Sequence, residues 1–179
     1  RVENAAARST ESYAHPDRIR TLATDLLDHW AQRSETMRAA IEVPGKAIVV
    51  CGTRRIAALL YDEIVRQRRE AGDDTWHSDA IDGGRLKVVI SGEPSDLPPI
   101  NQHVRPKRAE DEILERIKRP DDPLELVLVK DKLLTGFDAP PLHTLYVDRP
   151  LRGALLMQAL ARVNRRFRGK DNGLLVGYS

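Results

Sequence analysis

The stretch Ala47-Ile48-Val49-Val50-Cys51-Gly52-Thr53-Arg54-Arg55-Ile56 decides the fold class. An unbroken apolar run from Ala47 to Cys51 is the pattern of a strand buried on both faces; a strand with one wet face alternates. Gly52-Thr53 punctuates the run. From Arg54 to Ala71 the period changes, and Ile56, Leu60, Tyr61 and Ile64 fall on one side of a helix. The same succession recurs downstream. Leu86 to Ile90 reads as a second strand, and Ser91 to Arg108 as a Pro-, Asp- and Gly-containing loop. Ala109 to Lys118 is a charged helix with Ile113, Leu114 and Ile117 inward. On it, Glu112 with Arg116, and Glu115 with Arg119, are spaced as surface i,i+4 pairs. Leu124 to Val129 and Leu142 to Val147 are further strands, Ala154 to Arg166 a helix, and Leu174 to Tyr178 a last strand.

Strands alternating with helices call for right-handed crossovers, hence an α/β fold with a mostly parallel β-sheet flanked by helices on both faces. Working outward, residues 1–14 are polar and Ala-rich. His15-Pro16-Asp17 opens a helix, with Pro at its first position and an acid in its first turn. Ile19, Leu22, Ala23, Leu26, Leu27 and Trp30 then make an amphipathic stripe running to about Arg33, and Ile41 to Gly45 reads as a connector. The expected organisation is an N-terminal linker and amphipathic helix over 1–45 and an α/β lobe over 46–179.

The composition bounds the function. With 29 Lys and Arg against 27 Asp and Glu, the net charge of +2 neither demands nor excludes nucleic acid, so a basic surface has to be local. One cysteine, Cys51, excludes an internal disulfide and a Cys-rich zinc module. No apolar run approaches the length of a membrane span. The start at Arg1-Val2-Glu3-Asn4 and the stop at Gly177-Tyr178-Ser179 suggest a piece of something larger.

In open parallel sheets, ligands sit at the carboxyl ends of the strands, which directs attention to residues 51–55, 91–96, 130–140 and 148–153. A phosphate loop, G-x-x-x-x-G-K-[ST], is missing: Gly45-Lys46 is followed by Ala47, and Gly169-Lys170 by Asp171. There is no G-x-G-x-x-G. Asp111-Glu112 lies inside a charged helix and reads as a solvated face, and Asp121-Asp122 as a turn. The five histidines show no metal-ligand spacing.

Two features remain. In the helix over 154–166, Gln158, Arg162 and Arg165 lie at i, i+4 and i+7, within about 60° of one another, opposite Leu156, Ala159, Leu160 and Val163. Spacing alone fits a solvated basic face as well as a phosphate site; guanidinium forks are common partners of phosphate oxygens. The second is Leu133-Leu134-Thr135-Gly136-Phe137-Asp138-Ala139-Pro140, where Gly136 permits a tight turn or a close approach and Asp138 can accept from a ribose hydroxyl. An ordinary Gly-Asp-Pro turn is the other reading.

Gln158-Ala159-Leu160-Ala161-Arg162-Val163-Asn164-Arg165 resembles motif VI of superfamily 2 helicases, with Ala161 where Gly is usual. LLTGFDAP (133–140) resembles motif V, and KAIVVCGTRRIAALLY (46–61) resembles motif IV. The ordered set, with LYVDRPL (145–151) between the last two, is similar to the restriction (motor and nuclease) subunit of type I restriction endonucleases over about residues 15–179. The resemblance implies the second RecA-like lobe of an ATP-driven duplex-DNA translocase. In it, Arg162 and Arg165 would be arginine fingers on ATP, while Gln158, Asp138 and Gly136 would contact the nucleotide, Asp138 at the ribose. Thr53, Arg54 and Arg55 would meet the DNA backbone. Lys130 stands where many superfamily 2 proteins carry Thr, and a Lys there can still reach a phosphate. ATP and Mg²⁺ are the implied cofactors, with Mg²⁺ on the missing first lobe; no metal ligand is expected here. The implied partners are duplex DNA and the modification and specificity subunits, in a cytoplasmic complex without a membrane. A different superfamily 2 DNA or RNA motor and a non-catalytic helicase-like interaction domain are the alternatives.

Overall fold

The computed structural model describes residues 12–134, 137–151, 153–170 and 173–178. In chain order the elements are α1 (Pro16–Ile41), β1 (Lys46–Cys51), α2 (Arg54–Glu70), β2 (Leu86–Val89), a short 3₁₀ turn (Ile100–His103), α3 (Lys107–Lys118), β3 (Leu126–Val129), β4 (Leu142–Asp148), α4 (Gly153–Val163) and β5 (Leu174–Gly177). The strands form one five-stranded sheet in the order β2-β3-β1-β4-β5, and every pairing is parallel.

The continuous apolar runs divide residue by residue between two cores. Ala47, Val49 and Cys51 of β1 face one side with Leu86, Val88, Leu126 and Leu128, against α1 and α2. Ile48 and Val50 face the other with Val127, Val129, Leu145 and Val147, against α3 and α4. Burial on both faces is therefore the cause of the unbroken runs. The β3–β4 crossover carries no helix among its described residues; Leu133, Leu134, Phe137 and Ala139 cover that face instead.

Three sequence expectations need correction. First, α1 does not stop near Arg33 but runs to Ile41. Its buried stripe continues through Met37 and Ile41, and nothing breaks it until Glu42 takes a left-handed conformation. Second, Arg116 is not a surface partner for Glu112. It is 3% exposed and donates to Asp122 (2.9 Å) and to the carbonyls of Ile81 (2.9 Å), Gly83 (2.8 Å) and Gly84 (2.7 Å). The fork thus ties α3 to the loop before β2. Third, α4 ends at Val163, three residues short of the expected Arg166. The buried Lys170 ammonium donates both to the Val163 carbonyl (2.9 Å) and to that of Leu142 (2.8 Å). Asn164 Oδ1 accepts from Gly173 N at 2.9 Å. These bonds turn the chain back toward β5.

Lys46 and Lys87 are buried in the same manner, each donating to two loop carbonyls. On the outer edge strand, Arg105 donates to Val88 O at 2.7 Å, occupying a ladder position that a foreign strand would otherwise use. Among the described residues no helix is long and apolar enough to cross a membrane.

Candidate functional site

The singled-out residues form two groups at opposite ends of the sheet. The first lies at the carboxyl ends of β1, β2, β3 and β4. Thr53 caps α2, its Oγ accepting from Ile56 N at 3.0 Å, so its hydroxyl proton stays available to a ligand. Arg54 reaches across to the segment after β2. Its two terminal nitrogens meet the two oxygens of Asp96 at 2.6 and 2.8 Å, and one also donates to Ser91 O at 3.0 Å. The Arg54 hydrogen bonds hold the Asp96 carboxyl below its ordinary range. Arg55 is exposed and has no ion-pair partner among the described residues. Lys130 is 3.6 Å from Asp131, whose other neighbour, Arg149, donates to it at 2.8 Å and to the Lys130 carbonyl at 3.3 Å.

Sequence reasoning missed two members of this group. Asp148 ends β4 with its carboxylate fully covered and is met by both terminal nitrogens of Arg18, from the first turns of α1. Burial raises the Asp148 carboxyl, and the Arg18 guanidinium opposes that rise. Arg18 in turn lies 4.4 Å from the centre of the Tyr13 ring. Tyr13, Gly52, Thr53, Asp148 and Arg149 line a cavity of about 320 Å³ here. The signal that could have found Asp148 is its place directly after an apolar run, at the carboxyl end of a buried strand. No spacing flags Arg18, because its partner is remote in sequence.

The second group is gathered by α4 and the turn after it. The Lys170 bridge places the end of α4 beside Leu142, at the amino end of β4. α4 follows β4 and runs back down the sheet, so its arginines stand at the amino end, and Asp138, expected with residues 130–140 at the carboxyl end, meets Arg165 there instead. Gln158 is exposed on α4, and Arg162 is partly covered one turn later. Its Nε is buried with no hydrogen-bond partner among the described residues. Arg165 lies beyond the helix, so the i+7 argument does not apply to it; it forms an ion pair with Asp138 instead. Gly136 lies outside the described residues. Among the described residues no cluster of His, Cys, Asp or Glu is placed to hold a metal ion. A larger cavity of about 690 Å³, lined by Tyr61, His77, His103 and Arg105 among others, belongs to neither group.

The buried, unpartnered Arg162 nitrogen and the nearby Arg165 suit an anion at the lower group, since a covered guanidinium nitrogen without an acceptor is costly. At the upper group, the first turn of α2 and Arg55 suit phosphates.

Comparison with known proteins agrees with the fold and motifs. Residues 101–179 match the family model for type I restriction enzyme subunit R domain 3. Over 165 residues, 90% of this chain, it is 41% identical to the type I restriction enzyme HindI endonuclease subunit of Haemophilus influenzae, and it spans 15% of that protein's length. A structure described as an HsdR-subunit fragment from Vibrio vulnificus YJ016 superposes with a TM-score of 0.60 at 19% identity, over 91% of this chain and 27% of that one. Domain 2 of the DEAD-box helicase Mss116p gives 0.51 at 14% identity, over 89% of this chain and 50% of that one. These two likenesses bear on the fold, a RecA-like helicase lobe. The sequence match over 90% of its length places the chain with the endonuclease (R) subunits of type I restriction enzymes.

Proposed function

We propose that this lobe works in an ATP-dependent duplex-DNA translocase, as the second of two RecA-like lobes, with nucleotide at its lower group and DNA at its upper group. The observation that carries the reading is the separation of the two groups by the length of β4, about 20 Å at the usual strand rise. A motor has to hold nucleotide and track at different places, so that a change at one can move the other.

At the lower group, Arg162 and Arg165 stabilise the charge that develops on the transferred phosphoryl oxygens. Asp138 accepts from the ribose, and Gln158 and Gly136 complete the nucleotide contacts. Without nucleotide, Asp138 holds Arg165 by its ion pair, so the guanidinium waits beside the site and changes partner when ATP arrives. Mg²⁺ and the phosphate loop are supplied by the first lobe. The isolated chain, which has no phosphate loop, does not turn over ATP. At the upper group the Thr53 hydroxyl, Arg54, Arg55 and Lys130 meet phosphates rather than bases, because a translocase has to pass any sequence. The modification and specificity subunits of the restriction complex provide the recognition this lobe lacks.

The test is made on the full-length protein. ATP hydrolysis should be stimulated by duplex DNA of arbitrary sequence. A Thr53→Ala, Arg55→Ala double variant should need more DNA for half-maximal stimulation while keeping its DNA-free rate. Hydrolysis indifferent to DNA in the unaltered protein would reject the reading.

A further inference from the structure

Arg54 is expected at the DNA, yet in the structure its fork is full. The two terminal nitrogens face the two Asp96 oxygens at 2.6 and 2.8 Å. Glu93 approaches to 3.8 Å, and Asp96 also accepts from the Glu93 backbone N–H at 2.6 Å. The Asp96 side chain is 7% exposed and that of Arg54 19% exposed, so neither is a freely rotating surface group. Two parallel N–H···O bonds from one guanidinium to two oxygens on one atom are also the geometry that Arg offers a phosphodiester. The carboxylate therefore stands where a phosphate would.

We propose that Asp96 is a positioning residue that occupies the Arg54 fork as a phosphate stand-in and has to be exchanged for a DNA phosphate each time the lobe engages its track. The inference rests on the reading that the carboxyl end of the sheet faces DNA. Exchange lets Arg54 keep an anionic partner throughout, so it is never a buried, unpaired charge. It also makes the contact weak, because the attraction gained from the phosphate is offset by the carboxylate given up and left near the DNA. Weak, reversible grip suits a lobe that releases one phosphate to take another. Arg55, with no carboxylate partner among the described residues, supplies standing attraction instead. Asp96 is held at the end of a segment, Ser91 to Ser95, that is exposed throughout, so there is room for it to move aside. The competing account is that the pair only staples this segment to α2.

The experiment measures affinity of the full-length protein for a duplex of arbitrary sequence over a range of salt concentrations. Asp96→Asn removes the charge and keeps an amide oxygen for the Glu93 N–H. It should tighten binding about three- to tenfold near 0.1 M salt. It should also steepen the dependence of log affinity on log salt, by up to about 0.9, because a unit of negative charge no longer stands beside the phosphate that Arg54 takes. Arg54→Ala should weaken binding and make the dependence shallower, and in the Asp96→Asn, Arg54→Ala double variant the gain should vanish. If Arg54→Ala changes neither affinity nor slope, it is the DNA-facing reading of this end that fails. If Arg54→Ala weakens binding but Asp96→Asn binds no more tightly than the unaltered protein at the same slope, the pair is a staple and the exchange proposal is overturned. Asp96→Ala serves as a second variant with the same two readings, and thermal unfolding of each variant separates lost binding from lost fold.

Discussion

Asp138 and Arg165 form an ion pair below the amino end of β4, joining the segment before that strand to the turn after α4. Each side chain is about half exposed, so the pair contributes at most about 1 kcal/mol to stability. Its importance is positional. It keeps a guanidinium and a carboxylate of the proposed nucleotide site together before any ligand is present, and the cost of breaking it is small enough for a nucleotide to meet.

That modest cost makes the arginines testable without confounding them with folding. In the full-length protein, Arg162→Ala, Arg165→Ala and the corresponding Lys variants should lose roughly 10³- to 10⁵-fold in ATP turnover. The Arg165 variants should shift unfolding by less than about 1 kcal/mol. Lys should not rescue, because a compact ammonium cannot reproduce the fork. Turnover within about threefold of the unaltered protein in both positions would leave these residues with no part in the chemistry.

Arg116 should behave in the opposite way. Arg116→Met leaves three carbonyls without their Arg donor and Asp122 with only the Leu124 N–H. Breaking a buried pair from one side costs about 3–5 kcal/mol. Exposed Glu115→Ala on the same helix should stay within about 0.5 kcal/mol. Chemical denaturation distinguishes the two, and a small effect at Arg116 would mean that the loop before β2 finds other donors.

Two histidines set an acid limit. Burial pushes His103 and His143 down to about 4. Unfolding returns each to its ordinary value near 6.5, so below that pH the unfolded chain binds protons that the native chain does not. Their stabilising contribution is whole above about pH 6.5 and is lost as pH falls toward 4, roughly 3 kcal/mol for each at the limit. His143 stacks on Trp30 with ring centres 5.3 Å apart. His143→Phe should keep the stack, lose the bond to Pro44 O, and flatten the fall in denaturation midpoint between pH 6.5 and 5. An unchanged profile in that variant would assign the acid sensitivity elsewhere.

The buried lysines act at the alkaline side. Burial lowers Lys46, Lys87 and Lys170 to about 8. Between about pH 8 and their ordinary value of 10.5, the unfolded chain holds protons that the native one has released, so stability should rise with pH. Burial raises the Cys51 thiol and the Tyr61 hydroxyl, the latter to about 12. Those two groups favour unfolding as pH passes their ordinary values, so the rise should be cleanest from pH 8 to 9. Denaturant midpoints across that unit should increase, and less so in Lys46→Met. A flat profile in the unaltered protein would show that the three ammoniums keep their charge.

The turn that positions Arg165 tolerates no side chain at Gly173. A Cβ there would press on the Val163 backbone carbonyl, which already accepts from Lys170. Gly173→Ala should destabilise the protein by about 1–3 kcal/mol and lower ATP turnover in the full-length enzyme at temperatures where it remains folded. Gly72, whose added Cβ would meet nothing but whose φ is +85°, gives a strain-only comparison when changed to Ala. Equal losses of turnover at the two positions would remove the link between this turn and Arg165.

The amino-acid order by itself determined the parallel sheet, because strands covered on both sides are apolar nearly throughout; the unbroken runs at 47–51 and 126–129 record that locally, and the runs at 86–90 and 142–147 depart from it only at Lys87, His143 and Thr144. It also determined where α2 begins and ends, through Thr53 as cap and the stripe from Ile56 to Ile64, and it carried the motif-like segments that place the chain in its family. What periodicity cannot record is a partner chosen across the fold. Arg116 reads as surface by its helical neighbours and is buried by loop carbonyls; Arg165 reads as helical and is taken out of the helix by the bonds of Lys170 and Asn164. Arg54 with Asp96 and Arg18 with Asp148 lie far apart in sequence. Each depends on two segments arriving at one point with oxygens facing nitrogens. The placement of the two candidate groups at opposite ends of the sheet likewise follows from the direction in which α4 returns from β4. Local sequence sets which residues are apolar and which can turn. Only the closed three-dimensional arrangement sets which charge meets which, because charges act through space and the chain brings them together only once the sheet and its helices have packed.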